Sequence, residues 1–141
     1  MRILTLVFAA CLLSLGFAKP ADASLLVRVD KGEQRMRVYV DDRLMYTWPV
    51  STGRSGYSTP PGLYRPYTLS RYHRSRRYNN APMPYSIFYR GGYAIHGTND
   101  INRLGGPASH GCIRLHTTNA RELFQMVEYF GKDSTRIVIH Q

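Results

Sequence analysis

The chain has 141 residues, with 19 Lys and Arg against 9 Asp and Glu, a formal net charge of +10. That length holds one compact domain rather than two, a hydrophobic content of 43% excludes a disordered charged tail, and two cysteines exclude a disulfide scaffold. So basic a balance favours an anionic polymer as partner.

Arg2 precedes an apolar run from Ile3 to Ala18, interrupted only by Thr5, Ser14 and Gly16, and Ala21-Asp22-Ala23 supplies a small-x-small site. This order predicts a cleaved export signal over residues 1–23 and a mature domain over 24–141, exported to the periplasm or cell envelope. An uncleaved anchor and a lipid on Cys11 are the other readings. The run is too short for a comfortable membrane span, and no second apolar stretch of spanning length follows. Without Arg2, Lys19 and Asp22 the remainder carries 17 basic and 8 acidic residues. After export these meet wall material or lipid headgroups rather than nucleic acid. The mature domain keeps only Cys112. Export puts it where disulfides form, yet one cysteine closes no internal bridge. It is an inert buried thiol, half of an intermolecular bridge, or a nucleophile.

From Ser24 to Asp30, Leu25, Val27 and Val29 alternate with Leu26, Arg28 and Asp30, and from Arg35 to Val40, Met36 and Val38 alternate with Arg35, Arg37 and Tyr39. Period two with β-branched residues predicts half-buried strands. Arg43 to Ser51 continues as a third strand of an antiparallel meander, with Pro49 at an edge or bulge. Thr52 to Gly62 is turn chemistry, and Leu63 to Leu69 is a strand candidate. Positions 71–84, RYHRSRRYNNAPMP, lack a period and predict a long basic surface loop bordering a binding site; its arginines would steer the protein to anionic envelope polymers. Tyr85–Arg90, Gly91-Gly92 and Tyr93–His96 predict a hairpin. Cys112 to Leu115 is strand-like. Thr117 to Phe130 predicts a helix: Asn119 and Glu122 have capping-box spacing, Leu123, Val127 and Phe130 share a face, and Gly131 stops it. Arg136 to His140 closes with a strand. The fold class is therefore mainly β, a β-sandwich of mixed and antiparallel strands with one principal helix.

If residues 110–116 are extended, His110, Cys112, Arg114 and His116 point one way and Gly111, Ile113 and Leu115 the other. Ile113 and Leu115 then supply the core face, and Cys112 shares a face with imidazoles and a guanidinium. A thiol in such company ionises more easily, and the thiolate is the nucleophile. Gly111 permits close backbone approach, so amide groups at Gly111 and Cys112 could stabilise an oxyanion. Ser109 is a turn residue or a direct participant. His110 is the nearest candidate base by spacing, and His96 is a second one at a strand end. His73 and His140 have no companion pattern and are read as structural. No metal-ligand spacing is present.

HGTND at 96–100, LGGPASHGCIRL at 104–115 and MPYSIFYRGGYAIHG at 83–97, with GRSGYSTPPGLY at 53–64, together resemble the YkuD-type L,D-transpeptidase catalytic domain. The resemblance implies a β-rich sandwich acting on peptidoglycan, Cys112 as the acylated nucleophile and His96 as its base, with the Gly97 carbonyl orienting the imidazole. By the same transfer His110, Gly111, Ser109 and Arg114 line the oxyanion and substrate region. The implied chemistry is a Cys112 thioester on a tetrapeptide stem with release of D-alanine, without cofactor, and a carbapenem as covalent inhibitor. The acceptor stays open: a stem amine, a lysine of an outer-membrane protein, or water, which would make the enzyme an L,D-carboxypeptidase. A non-catalytic cationic wall-binding module is the reading from another class. Asn119-Ala120 stands where relatives often carry Asp-Ala.

Overall fold

In this computed structural model, which describes residues 24–141, the first three strands form the expected meander. They are β1 (Leu25–Asp30), β2 (Arg35–Val40) and β3 (Arg43–Pro49). Residues 1–23, read as an export signal, lie outside the described residues. Val27 stands opposite Val38 and Val29 opposite Met36, and all four are buried, each such burial contributing roughly 1.5–3 kcal/mol. Asp41 and Asp42, at φ 47° and 65°, make the turn into β3. Both are left-handed, the conformation whose twist matches the flanking strands.

Beyond β3 the chain departs from the expected pattern. The strand stops at Pro49, and Ser51 bridges instead to Arg114. The single strand expected over Leu63–Leu69 is two: β4 (Gly62–Tyr64) and β5 (Thr68–Arg74). They belong to different sheets, and Arg65-Pro66-Tyr67 carries the chain across. The long loop expected over 71–84 shrinks to a turn at 75–81, because β5 runs to Arg74 and β6 (Pro82–Arg90) begins early. Ser75 organises that turn, its Oγ accepting from the Tyr78 amide at 2.9 Å while its own amide donates to the Ala81 carbonyl at 2.9 Å. Pro82 and Pro84 fall where β5 is β6's only registered partner, so their missing amide hydrogens break no ladder with β7 (Tyr93–Thr98).

One sheet has the order β3-β2-β1-β9-β4 and the other β5-β6-β7-β8, where β8 is Ile113–His116 and β9 is Thr135–His140. Two pairs are parallel, β1 with β9 and β7 with β8. Residues 99–112 make the crossover between β7 and β8, and α1 (Thr117–Phe130) leaves that sheet after β8 and returns the chain to the other, where β9 joins β1. Ile87, Ile95, Ile113 and Leu115 meet Val27, Val29, Ile137 and Ile139 in one core, which Leu123, Phe124 and Val127 of α1 complete. The fold is thus the mainly β sandwich with one principal helix. Its cap differs from expectation: His116 is the N-cap, its Nδ1 accepting from the Thr118 amide at 3.2 Å, and Asn119 lies inside the first turn. Glu122 is drawn instead to the Tyr46 hydroxyl at 3.2 Å.

Leu123→Ala, which empties a fully buried position of α1, should cost about 2–5 kcal/mol by denaturant titration. Glu128→Gln on the exposed face should stay within about 0.5 kcal/mol.

Candidate active site

The outer face of the four-stranded sheet carries a small apolar floor of Met83, Phe88 and Ala94, with Cys112 packed against it. Around it opens a cleft of about 970 Å³ into which His96, Ser109, His110, Cys112 and Arg114 all face, as do Tyr78 and His73. Gly97 and Gly111 act through their backbones beside it.

His96 sits in the middle of β7 and is only 6% exposed. Its Nδ1 is 2.7 Å from the Gly97 carbonyl. A carbonyl oxygen only accepts, so Nδ1 donates and Nε2 keeps its lone pair. Burial pushes the imidazole down to about 4, against the Gly97 hydrogen bond that raises it, while Arg114 lowers it further. His96 is therefore a neutral base at neutral pH. A side chain on Gly97 would press within 2.9 Å of the Thr117 hydroxyl and 3.2 Å of Pro84 Cγ.

Cys112 lies on a turn, not on the strand that the alternation predicts; β8 begins one residue later. Gly111 has φ 120°, and a Cβ there would be 2.8 Å from the Tyr93 ring. This left-handed residue delays the start of the strand. Ile113 and Leu115 still face the core, and Cys112 and Arg114 the cleft. His116 goes to the helix cap. His110 is stacked on Tyr78, ring centroids 4.0 Å apart and planes 8° from parallel, with Tyr57 edge-on at 4.9 Å.

Ser109 Oγ holds both ends of the turn, accepting from the Gly111 amide at 3.0 Å and donating to the Cys112 carbonyl at 2.6 Å. The Gly111 amide is thereby engaged inside the turn. Cys112 Sγ meets the Gly92 carbonyl at 3.7 Å. Ionisation of the thiol is not eased, contrary to the expectation from its neighbours: burial pushes it up, and the Ala94 backbone and the Arg114 charge pull against that without reversing it. Arg114 is half-buried, drawn towards both Cys112 and Asp100, and burial lowers it.

Several supporting residues carry no signal in the sequence. Buried Gln34 donates from Nε2 to Thr52 Oγ1 at 2.7 Å and accepts at Oε1 from the Thr52 amide at 3.0 Å. The Thr52 carbonyl in turn accepts from the amides of Ala108 and Ser109, both at 3.0 Å. Thr59, wholly buried, accepts from the Gly53 amide at 2.9 Å and donates to the Gly111 carbonyl at 2.8 Å. Only the motif GRSGYSTPPGLY around Thr59 hinted at this. His73, read as structural, faces the cleft with its ring edge-on to Phe88 at 4.9 Å.

Comparison with known proteins follows the same geometry. The family model of the L,D-transpeptidase catalytic domain, YkuD, matches residues 24–139. The YkuD protein of Bacillus subtilis (strain 168) is 27% identical over 130 residues, covering 89% of this chain and 72% of the relative. An L,D-transpeptidase from Mycobacterium smegmatis superposes with a TM-score of 0.76 at 20% identity, covering 84% of this chain and 59% of that one. L,D-transpeptidase 3 from Mycobacterium tuberculosis, in complex with a faropenem-derived adduct, gives 0.73 at 16% identity, covering 84% and 61%. The chain thus spans less than two thirds of either solved chain, and these likenesses show a shared fold. With the family model spanning almost all the described residues, the chain belongs to the L,D-transpeptidase catalytic domain family, YkuD.

Proposed function

We propose that this protein is an exported L,D-transpeptidase of the cell envelope, with Cys112 as nucleophile and His96 as general base, acting on peptidoglycan tetrapeptide stems. One observation carries the reading: a free thiol and a neutral imidazole, its tautomer set by the Gly97 carbonyl, face one cleft. Residues 1–23 serve as the export signal and 24–141 as the catalytic domain.

The resting pair is uncharged, since burial disfavours both thiolate and imidazolium. His96 Nε2 takes the thiol proton as sulfur attacks the carbonyl between the L-centre of the diamino acid and the terminal D-alanine. The Cys112 amide serves the oxyanion, because the Gly111 amide is already held by Ser109. His96 then gives its proton to the departing D-alanine nitrogen, leaving a thioester. Arg114 steadies the developing thiolate and offers its half-buried charge to a stem carboxylate. Stacked His110 walls the substrate channel, while Ser109, Gly97 and Gly111 fix the backbone. An acceptor amine resolves the thioester; water in its place gives carboxypeptidase activity, and a protein lysine gives attachment. The apolar floor and cationic rim suit a β-lactam carboxylate too, so carbapenems and faropenem should acylate Cys112.

Intact-mass measurement should show a faropenem adduct on the wild-type protein and none on Cys112→Ala. His96→Gln should slow acylation by about a hundred- to ten-thousand-fold. A wild-type protein that pulls down with sacculi but forms no faropenem adduct would leave the wall-binding module as the better reading.

The pH profile follows from the lowered His96. Only the neutral imidazole accepts the thiol proton, so the acylation rate should be level between about pH 5 and 7 and fall as pH drops through about 4. An acid limb centred near the ordinary histidine value of about 6.5 would contradict the assignment.

A further inference from the structure

His73 has no part in the mechanism above, yet the fold delivers it to the cleft by a specific irregularity. Tyr85, at φ 55°, interrupts β6, and the register passes from Ser70 opposite Ser86 to Tyr72 opposite Pro84 without a pair between them. On one side of the break Ile87 is in the core and Tyr85 packs edge-on against Phe124. On the other, Met83 joins the cleft floor, and His73 opposite it turns its ring onto Phe88. An imidazole is thereby placed in the same cleft as His96 and Cys112, close enough for its charge to lower His96.

The charges in that cleft set a problem for an amine acceptor. Facing His73 are His96, His110, Cys112 and Arg114 from around β7 and β8, Arg76 and Arg77 from the turn, and Asp100. On its own strand, Arg71 lies over the Phe124 ring and Arg74 reaches the Asn80 carbonyl. Asp100, the one carboxylate among the described residues that line the cleft, is 3.3 Å from Arg103. An alkylamine titrates near about 10.4, so it arrives as ammonium in a cleft of arginines with no unengaged carboxylate. Only the neutral amine attacks a thioester. The acceptor therefore sheds two protons, one before attack and one as the new C–N bond forms. His96 receives the second and returns it to Cys112 sulfur as the C–S bond breaks. The first needs another base.

We infer that His73 is that base, a further catalytic residue that takes the first proton from the acceptor ammonium and so equips the cleft for aminolysis. This rests on the proposed function. The proton passes from half-buried His73 to bulk water, and the departing D-alanine amine takes one up, so the reaction balances without a co-reactant. Thioester formation uses His96 alone, and so does hydrolysis, because water carries no charge to lose.

The test is His73→Gln with a tetrapeptide donor and two acceptors, Nα-acetyl-lysine, whose amine is protonated at pH 7, and methoxyamine, which is neutral there. Faropenem acylation, hydrolysis and transfer to methoxyamine should stay within about twofold of wild type. Transfer to Nα-acetyl-lysine should fall by about tenfold or more at pH 7 and recover as pH rises towards 9. Equal loss with both acceptors, a deficit that pH does not relieve, or a wild type that transfers to neither amine would overturn the role of His73. Absence of any acyl adduct on wild-type Cys112 would instead overturn the proposed function, and it is read before an acceptor is added.

Discussion

The site depends on one hydroxyl. Ser109 Oγ accepts from the Gly111 amide and donates to the Cys112 carbonyl, closing a turn that presents the thiol at the cleft while the next residue, Ile113, is already in the core. Backbone groups buried in such a turn must be satisfied internally, and each left unpaired costs on the order of 1–3 kcal/mol. The protein meets that demand in layers. Thr59 takes the Gly111 carbonyl, Thr52 receives the Ser109 amide, and Gln34 holds Thr52 from the opposite sheet. The first meander is therefore part of the machinery that aims Cys112, although none of its side chains enters the cleft.

Given that placement, burial decides the protonation states. His96 is buried and Cys112 half-buried, and desolvation pushes each towards its neutral form. A resting ion pair would require two desolvated charges, so reactivity is held back until a substrate carbonyl is present to accept the electron pair. The Gly97 carbonyl supplies the remaining constraint by claiming the Nδ1 hydrogen, which leaves Nε2 free for the thiol proton. His73 has a different environment on the same floor, half-buried over Phe88, which suits the separate role proposed for it.

Most of the frame was legible in the sequence because alternation and helical period report burial directly. The meander, the hairpin around Gly91-Gly92 and the limits of α1 followed from them. Failures came where local geometry overrides period. Left-handed Gly111 holds Cys112 on a turn ahead of the strand, the helix cap takes His116 from the face that His110, Cys112 and Arg114 do share, and left-handed Tyr85 hid the route by which His73 reaches the cleft. A proline-rich stretch read as loop because its strand partner, β5, cannot be seen from the segment itself. Cys112, His96, His110, Arg114 and Ser109 do converge, but spacing alone favoured His110 as base, and its stacking on Tyr78 is a contact of distant residues. Gln34 and Thr52 gave no sign, and Thr59 only through the motif around it, because a hydrogen bond between remote segments has no period.

The central claim is that His96 is a neutral imidazole with its proton on Nδ1. Nitrogen-15 NMR of the histidine side chains at pH 6 tests it most directly. The account predicts that His96 shows a protonated Nδ1 and an unprotonated Nε2, and that this spectrum persists as pH is lowered towards 5. A proton on Nε2 alone, or an imidazolium at pH 6, would contradict it.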